Sequence, residues 1–161
     1  MFTYPEYKKI LFCTDFSESS ELTFAYACAI AERDKGRIYL MHVISVTPNR
    51  DFVRSMMPHD ISDTIHKNLM EQLEKNFRER FINRCHKDIE FEAVIREGRE
   101  YQEIIKFALE EEVDLIVLGT HGLTGIGHVL MGSVADKVVR NSPVPVFTIP
   151  PPDKHKPKGG F

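Results

Sequence analysis

An α/β protein is predicted by this sequence: a doubly wound, five-stranded parallel sheet with helices on both faces. Three observations predict it. Short apolar runs alternate with helical periodicity from residue 10 to residue 149. One of these runs, "VDLIVLG", is apolar almost throughout, as a strand covered on both faces must be. The strand–helix–strand units are long enough for parallel crossovers, which are right-handed. The order reads β-α-β-α-β-α-β-α-β, and such alternation means helices on both sides of a parallel sheet.

The elements follow in order. "KKILFCTDFS" opens with a buried strand, Ile10 to Cys13, and ends in the turn at Thr14 and Asp15. A helix follows, with Ser17 or Ser19 as its cap and Glu21 in its first turn. Its apolar stripe is Leu22, Ala25, Tyr26, Ala29 and Ile30, and Gly36 ends it. "RIYLMHVI" is the second strand. Residues 45–60 show no period and carry Pro48, Asn49 and Pro58, so they read as a long connection or lid. The next helix has a strict i, i+4 stripe: Ile61, Ile65, Leu69, Leu73, Phe77, Phe81 and Cys85. "IEFEAVIRE" alternates through Ile89, Phe91, Ala93 and Ile95 and predicts a strand near a sheet edge. Tyr101, Ile104, Ile105, Ala108 and Leu109 mark a further helix, before "VDLIVLG". A glycine-rich loop leads to the helix "VLMGSVADKVVRN", and "VPVFTIP" is the last strand. The domain is expected to span 1–150, with 151–161, rich in Pro, Lys and Gly, as a disordered tail.

Composition narrows the function. A chain of 161 residues with 42% apolar and 28% charged residues is an ordinary globular protein, large enough to bury a core without staples. A net charge of −3 argues against non-specific nucleic-acid binding, which needs a basic footprint. A small anion is still admissible, because backbone N–H groups bind phosphate on an acidic protein. Cys13, Cys28 and Cys85 are odd in number and widely spaced, so no disulfide framework is expected and a reducing compartment fits. The opening lacks the apolar stretch of a secretory signal, and no run approaches a membrane span. The expected location is the cytoplasm.

The chemistry concentrates in "GTHGLTGIGHVLMGS", residues 119–133, with five glycines. In a doubly wound sheet, ligands bind at the carboxyl ends of the strands. This loop leaves such an end and enters a helix, whose first N–H groups and dipole favour an anion. Glycine lets the backbone approach closely, and Ser133 adds a hydroxyl donor. Two familiar phosphate motifs fail. In "GHVLMGS" Ser133 stands where a P-loop needs lysine, and in "GIGHVL" Leu130 replaces the third glycine of GxGxxG. The loop is therefore a phosphate site of another design, or a structural loop. Other chemistries lack their constellations: there is no HExxH, no Cys/His ligand spacing, no GxSxG and no triad. His42 reads as a satisfied structural histidine, and Cys13 as a small buried apolar residue. His121 and His128 lie in the loop, where they approach phosphate or face solvent.

Gly119-x2-Gly122-x9-Gly132-Ser133, together with "CTDFSE", "MHVI" and "SPVPVFTIP", resembles the universal stress protein family over roughly residues 7–150. The resemblance implies a Rossmann-like sheet of order 3-2-1-4-5 and a homodimer paired along the last strand, around Val144–Ile149. Members with the full glycine pattern bind ATP. By that analogy Asp15, beside Thr14, meets the nucleoside at its ribose, and Val43 meets adenine through its backbone. Gly119 and Gly122 lie beside ribose and phosphates. Gly132, Ser133 and Val134 hold the phosphates, which Mg²⁺ or Mn²⁺ bridges. Cys13 stands where some ATP-binding members have proline. The residues agree independently on Asp15: a carboxylate at the end of a central strand can accept two ribose hydroxyls. The expected function is a dimeric, cytoplasmic, ATP-binding stress sensor or regulator, at most a slow ATPase since no arginine finger accompanies the motif. The alternatives are a dimeric interaction module that binds no nucleotide, and an adenylating or redox enzyme of related fold.

Overall fold

The computed structural model describes residues 1–85, 88–121 and 131–151. Five strands form one parallel sheet: β1 (Lys9–Cys13), β2 (Arg37–Ser45), β3 (Phe91–Gly98), β4 (Leu115–Gly119) and β5 (Val146–Ile149). Their order is β3-β2-β1-β4-β5, with β1 central. The helices are α1 (Glu18–Asp34), α2 (Pro48–Met56), α3 (His59–Arg80), α4 (Glu100–Glu110) and α5 (Ser133–Asn141).

Side chains alternate across the sheet and divide the core in two. On one face Ile10, Phe12, Ile38, Leu40, Leu115 and Val117 pack against α1 and α3. On the other Leu11, Tyr39, Met41, Ile116 and Leu118 pack against α4 and α5. Phe12, Phe24 and Phe81 meet pairwise at centroid distances of 5.1–5.4 Å. Burial of such rings contributes about 2–3 kcal/mol each. At the amino ends of the strands, Asp114 Oδ2 accepts the Lys8 and Lys9 N–H groups at 2.8 Å and ties β1 to the start of β4.

Several sequence expectations are corrected. Residues 48–56 form α2 rather than a loop. Thr47 caps it, its Oγ1 accepting the Arg50 N–H, and Pro48 occupies the first turn where its missing N–H costs nothing. The buried stripe of α1 is Thr23, Phe24, Ala27 and Ala31, not the one containing Leu22 and Tyr26, which are about half exposed. Both stripes are apolar, and only the sheet decides which is covered. Ser17 is the α1 cap, and the left-handed residue at its end is Lys35, one before Gly36. In α3, which ends at Arg80, only Leu73 and Phe77 are buried; Ile61 and Ile65 are about half exposed, and Phe81 and Cys85 of the expected stripe lie beyond the helix. On β3, Ala93 is exposed and Val94 is buried against the other face. On α4, Phe107 is buried and Leu109 exposed. The expectation for the tail falls mainly on 152–161, outside the described residues.

Candidate functional site

The carboxyl ends of β1, β2 and β4 and the N-terminus of α5 surround a cavity of about 550 Å³. That is within the range of small-molecule sites. The crevice lies where the chain order turns from β1 outward, toward β2 on one side and β4 on the other.

The turn after β1 is held by a directed chain of hydrogen bonds. The Thr14 N–H donates to the Met41 carbonyl at 2.9 Å. Ser20 Oγ donates to the Ser17 carbonyl at 2.8 Å, so it accepts from Thr14 Oγ1, also at 2.8 Å. Thr14 Oγ1 in turn accepts the Phe16 N–H at 2.9 Å. Phe16 has φ +61°, a left-handed conformation that bulky residues rarely adopt. Its N–H is fixed by Thr14 and its carbonyl by Arg80 Nη1. Asp15 Oδ1 accepts the Ser17 N–H at 3.0 Å, so Asp15 forms the turn while Ser17 caps the helix. His42 Nδ1 donates to the Thr14 carbonyl at 2.8 Å, and its ring lies 4.8 Å from that of Phe16. The histidine is satisfied at Nδ1, as the sequence reading expects of it, but it also lines the cavity, and β2 continues past it to Ser45.

The two ends of the glycine segment meet beneath the cavity. The Gly132 N–H donates to the Thr120 carbonyl at 2.6 Å. A Cβ at Gly132 would sit 3.0 Å from that oxygen, tighter than ordinary contacts allow. At Gly119 a Cβ would meet Thr23 Oγ1 at 3.3 Å and Ser19 Oγ at 3.6 Å. Ser19 Oγ is buried and finds no hydrogen-bond partner among the described residues. Gly132 is the N-cap of α5, which makes Ser133 the first helical residue rather than the cap. The N–H groups of the first turn have no intrahelical partner by geometry, and Ser133, Val134 and Ala135 line the cavity.

Thr14, Asp15 and Val43 also reach the cavity wall, as do Gly119 and Gly132, so seven of the expected site residues share one cavity. Gly122 and His128 lie outside the described residues. Sequence reasoning missed Ser20, Thr120 and the pair Ser45–Glu100, in which Ser45 Oγ donates to Glu100 Oε1. Ser20 and Glu100 are helix first-turn residues whose direction depends on how each helix docks. Thr120 and His121 share a hydrogen bond of 2.9 Å at the cavity edge. Cys13 lies on the wall, and burial pushes its thiol well above the ordinary range. It is no ready nucleophile.

Asp15 and Glu100 bring carboxylates to the lining of this cavity, and the α5 N-terminus brings unpaired N–H groups to it. The first suits hydroxyl donors and the second suits an anion. Among the described residues no group of three or more His, Cys, Asp or Glu side chains could hold a metal ion. Nor is any described helix long and apolar enough to cross a membrane.

Comparison with known proteins gives a consistent picture. The universal stress protein family matches residues 6–150. The universal stress protein MJ0531 of Methanocaldococcus jannaschii is 32% identical over 150 residues, covering 92% of this chain and 85% of its own. The same organism's MJ0577 is 31% identical over 155 residues, covering 89% and 94%. The solved structure of MJ0577 superposes with a TM-score of 0.78 at 27% identity, over 93% of this chain and all of that one. More distant structures of the same fold include universal stress proteins solved with cAMP and, from Archaeoglobus fulgidus, with dAMP, at TM-scores of 0.60 and 0.55.

Proposed function

The chain belongs to the universal stress protein family, and on that premise we propose that it binds ATP in the cavity at the carboxyl ends of β1, β2 and β4. The observation that carries the reading is the convergence of Thr14–Asp15, Val43, Gly119 and Gly132–Ser133–Val134 on one cavity. These residues come from four separate segments of the chain. Asp15 accepts the ribose hydroxyls, the Val43 backbone faces adenine, and the first turn of α5 receives the phosphates. Gly119 and Gly132 leave space where a Cβ would crowd the wall, and Gly122 completes the pattern. Mg²⁺ or Mn²⁺ would accompany the phosphates and offset their charge, and no residue of this chain is assigned to it. That two proteins of this fold were solved with adenine nucleotides supports the ligand class.

The domain over 1–150 acts as a dimeric cytoplasmic sensor or regulator, whose loaded state a partner protein reads. The dimer pairs along β5. Among the described residues that strand has only β4 as a neighbour, and exposed Phe147 packs edge-on against exposed Tyr26 at 6.1 Å, an apolar patch at the sheet edge. Hydrolysis, if it occurs, is slow, and no catalytic residue is assigned.

The test is direct. Freshly purified protein is denatured, and the supernatant is separated on a nucleotide-resolving column. The stripped protein is then titrated with ATP and Mg²⁺ by calorimetry. Released ATP with a binding heat supports the reading. No nucleotide and no heat at millimolar ATP sinks it and favours an interaction module that works by dimerisation alone.

A further inference from the structure

Ser45 and Glu100 line the cavity but take no part in the nucleotide contacts assigned above. Ser45 is the last residue of β2, and Glu100 is the first of α4. Their meeting follows from the register. Met41, Val43 and Ser45 alternate onto one face of β2, and there Met41 and Val43 join the core cluster under α4 and α5. Ser45 pairs with Gly98, the last residue of β3, and the Val46 N–H donates to the Gly98 carbonyl at 3.3 Å. Two residues further on, Ser45 Oγ donates to Glu100 Oε1. No other described residue donates to this carboxylate, so Glu100 Oε2 keeps its acceptor sites. One turn along α4, Ile104 is buried and lines the same cavity. Here the lining combines apolar Val43 and Ile104 with one carboxylate.

The strand order decides which part of a nucleotide lies beside that carboxylate. Across the carboxyl ends the order is β2, β1, β4, with neighbouring strands about 4.8 Å apart. β2 carries Val43 and Ser45, and the turn after β1 carries Asp15. The bond from the Gly132 N–H to the Thr120 carbonyl fixes the start of α5 at the end of β4. A nucleotide has the same linear order of base, ribose and phosphates. With the phosphates at α5 and the ribose at Asp15, the base comes to β2 and so to Glu100. The reverse placement would set phosphates against a like charge in a confined site. A carboxylate accepts hydrogen bonds and donates none, so it needs a donor. ATP has donors at its ribose hydroxyls, which Asp15 takes, and at the 6-amino group of adenine.

We propose that Glu100, oriented by Ser45, is the residue that selects adenine, its Oε2 accepting a hydrogen of the 6-amino group. The inference rests on the ATP reading above and adds to it the residue that reads the base. A 6-oxo purine presents a carbonyl oxygen at that position, and the carboxylate repels it. A purine with only hydrogen there leaves the carboxylate oxygen unpaired in the closed site. A site built to bond one polar group rejects the analogue that lacks it far better than an apolar pocket does.

The experiment uses the full chain, stripped of nucleotide and titrated by calorimetry with Mg²⁺ present. The ligands are ATP, inosine triphosphate and purine riboside triphosphate, which differs from ATP only in lacking the 6-amino group. The wild type should bind ATP about tenfold or more tighter than either analogue, as loss of a hydrogen bond to a charged group predicts. Glu100→Ala should weaken ATP by a similar factor and leave purine riboside triphosphate unchanged, so that the two bind alike. Glu100→Gln keeps a neutral acceptor and should fall between. Distortion of the site would weaken both ligands together, so only a direct contact couples one side chain to one ligand group. Circular dichroism checks each fold, and Glu100→Gln decides alone if the alanine variant does not fold. Three results would each overturn the inference and leave the nucleotide site standing: equal binding of ATP and purine riboside triphosphate by the wild type, undiminished discrimination in the folded variants, or tighter binding of inosine triphosphate than of ATP. A wild type that binds none of the three ligands overturns the ATP reading and the inference with it.

Discussion

The Gly132 N–H and the Thr120 carbonyl are joined at 2.6 Å, so the glycine segment leaves β4 and re-enters the fold at almost one point. A side chain at Gly132 must push against that same carbonyl oxygen, 3.0 Å from where its Cβ would lie. Gly132→Val is expected to cost about 1–3 kcal/mol, as overpacking of a fixed backbone does. It should also abolish the calorimetric ATP signal while the far-ultraviolet circular dichroism stays native. Retained nucleotide binding in the folded variant would remove Gly132 from the site.

Thr14 supports the opposite wall. Thr14→Val keeps the shape but removes the acceptor of the buried Phe16 N–H and the donor to Ser20 Oγ. An unpartnered buried donor costs about 1–3 kcal/mol. Urea unfolding should show that loss. Nucleotide affinity should fall with it, because the strained turn at Phe16 also positions Asp15. A stable variant with unchanged affinity would show that the turn is held from elsewhere.

Acid stability should depend on Asp34. The Arg33 guanidinium beside it, then the Tyr7 N–H, lower its pKa from 3.8 to about 2. A depressed folded-state value means that the stabilisation is complete above the unfolded-state value. It is lost as pH falls from near 4 toward 2. Asp34→Asn should therefore lower stability at neutral pH and flatten the acid limb of a pH–unfolding curve over that interval. An acid limb as steep as that of the wild type would assign it to other carboxylates.

Dimerisation is tested at Val146. The Pro145 and Ile149 carbonyls accept the Ile116 and Thr120 N–H groups, so the alternate residues Val146 and Thr148 direct their backbone groups to the open edge of β5. Val146→Pro removes one of those N–H groups. It should weaken self-association by about tenfold or more, equivalent to at least ~1.4 kcal/mol. Light scattering over a dilution series reads this. An unchanged dimer would place the interface on another surface.

What the sequence by itself determined is local or periodic. The strands at Lys9–Cys13 and Leu115–Gly119 announce themselves because burial on both faces demands nearly continuous apolar runs. The strand order 3-2-1-4-5 came with the family resemblance. The glycine spacing from Gly119 to Ser133 is equally legible, because close backbone approach excludes a Cβ whatever surrounds it. The helix at Pro48–Met56 is also written locally, in the cap Thr47 followed by Pro48 and in Phe52, Val53 and Met56 on one face, but nine residues with two prolines nearby and an exposed apolar face read equally as a loop. The tertiary structure alone decided which stripe of α1 is covered, since Leu22–Tyr26 and Phe24–Ala27 are apolar alike and only docking on the sheet separates them. It alone brought Ser20 and Glu100 to the cavity, because such contacts arise from how whole elements dock. No spacing within one segment encodes them.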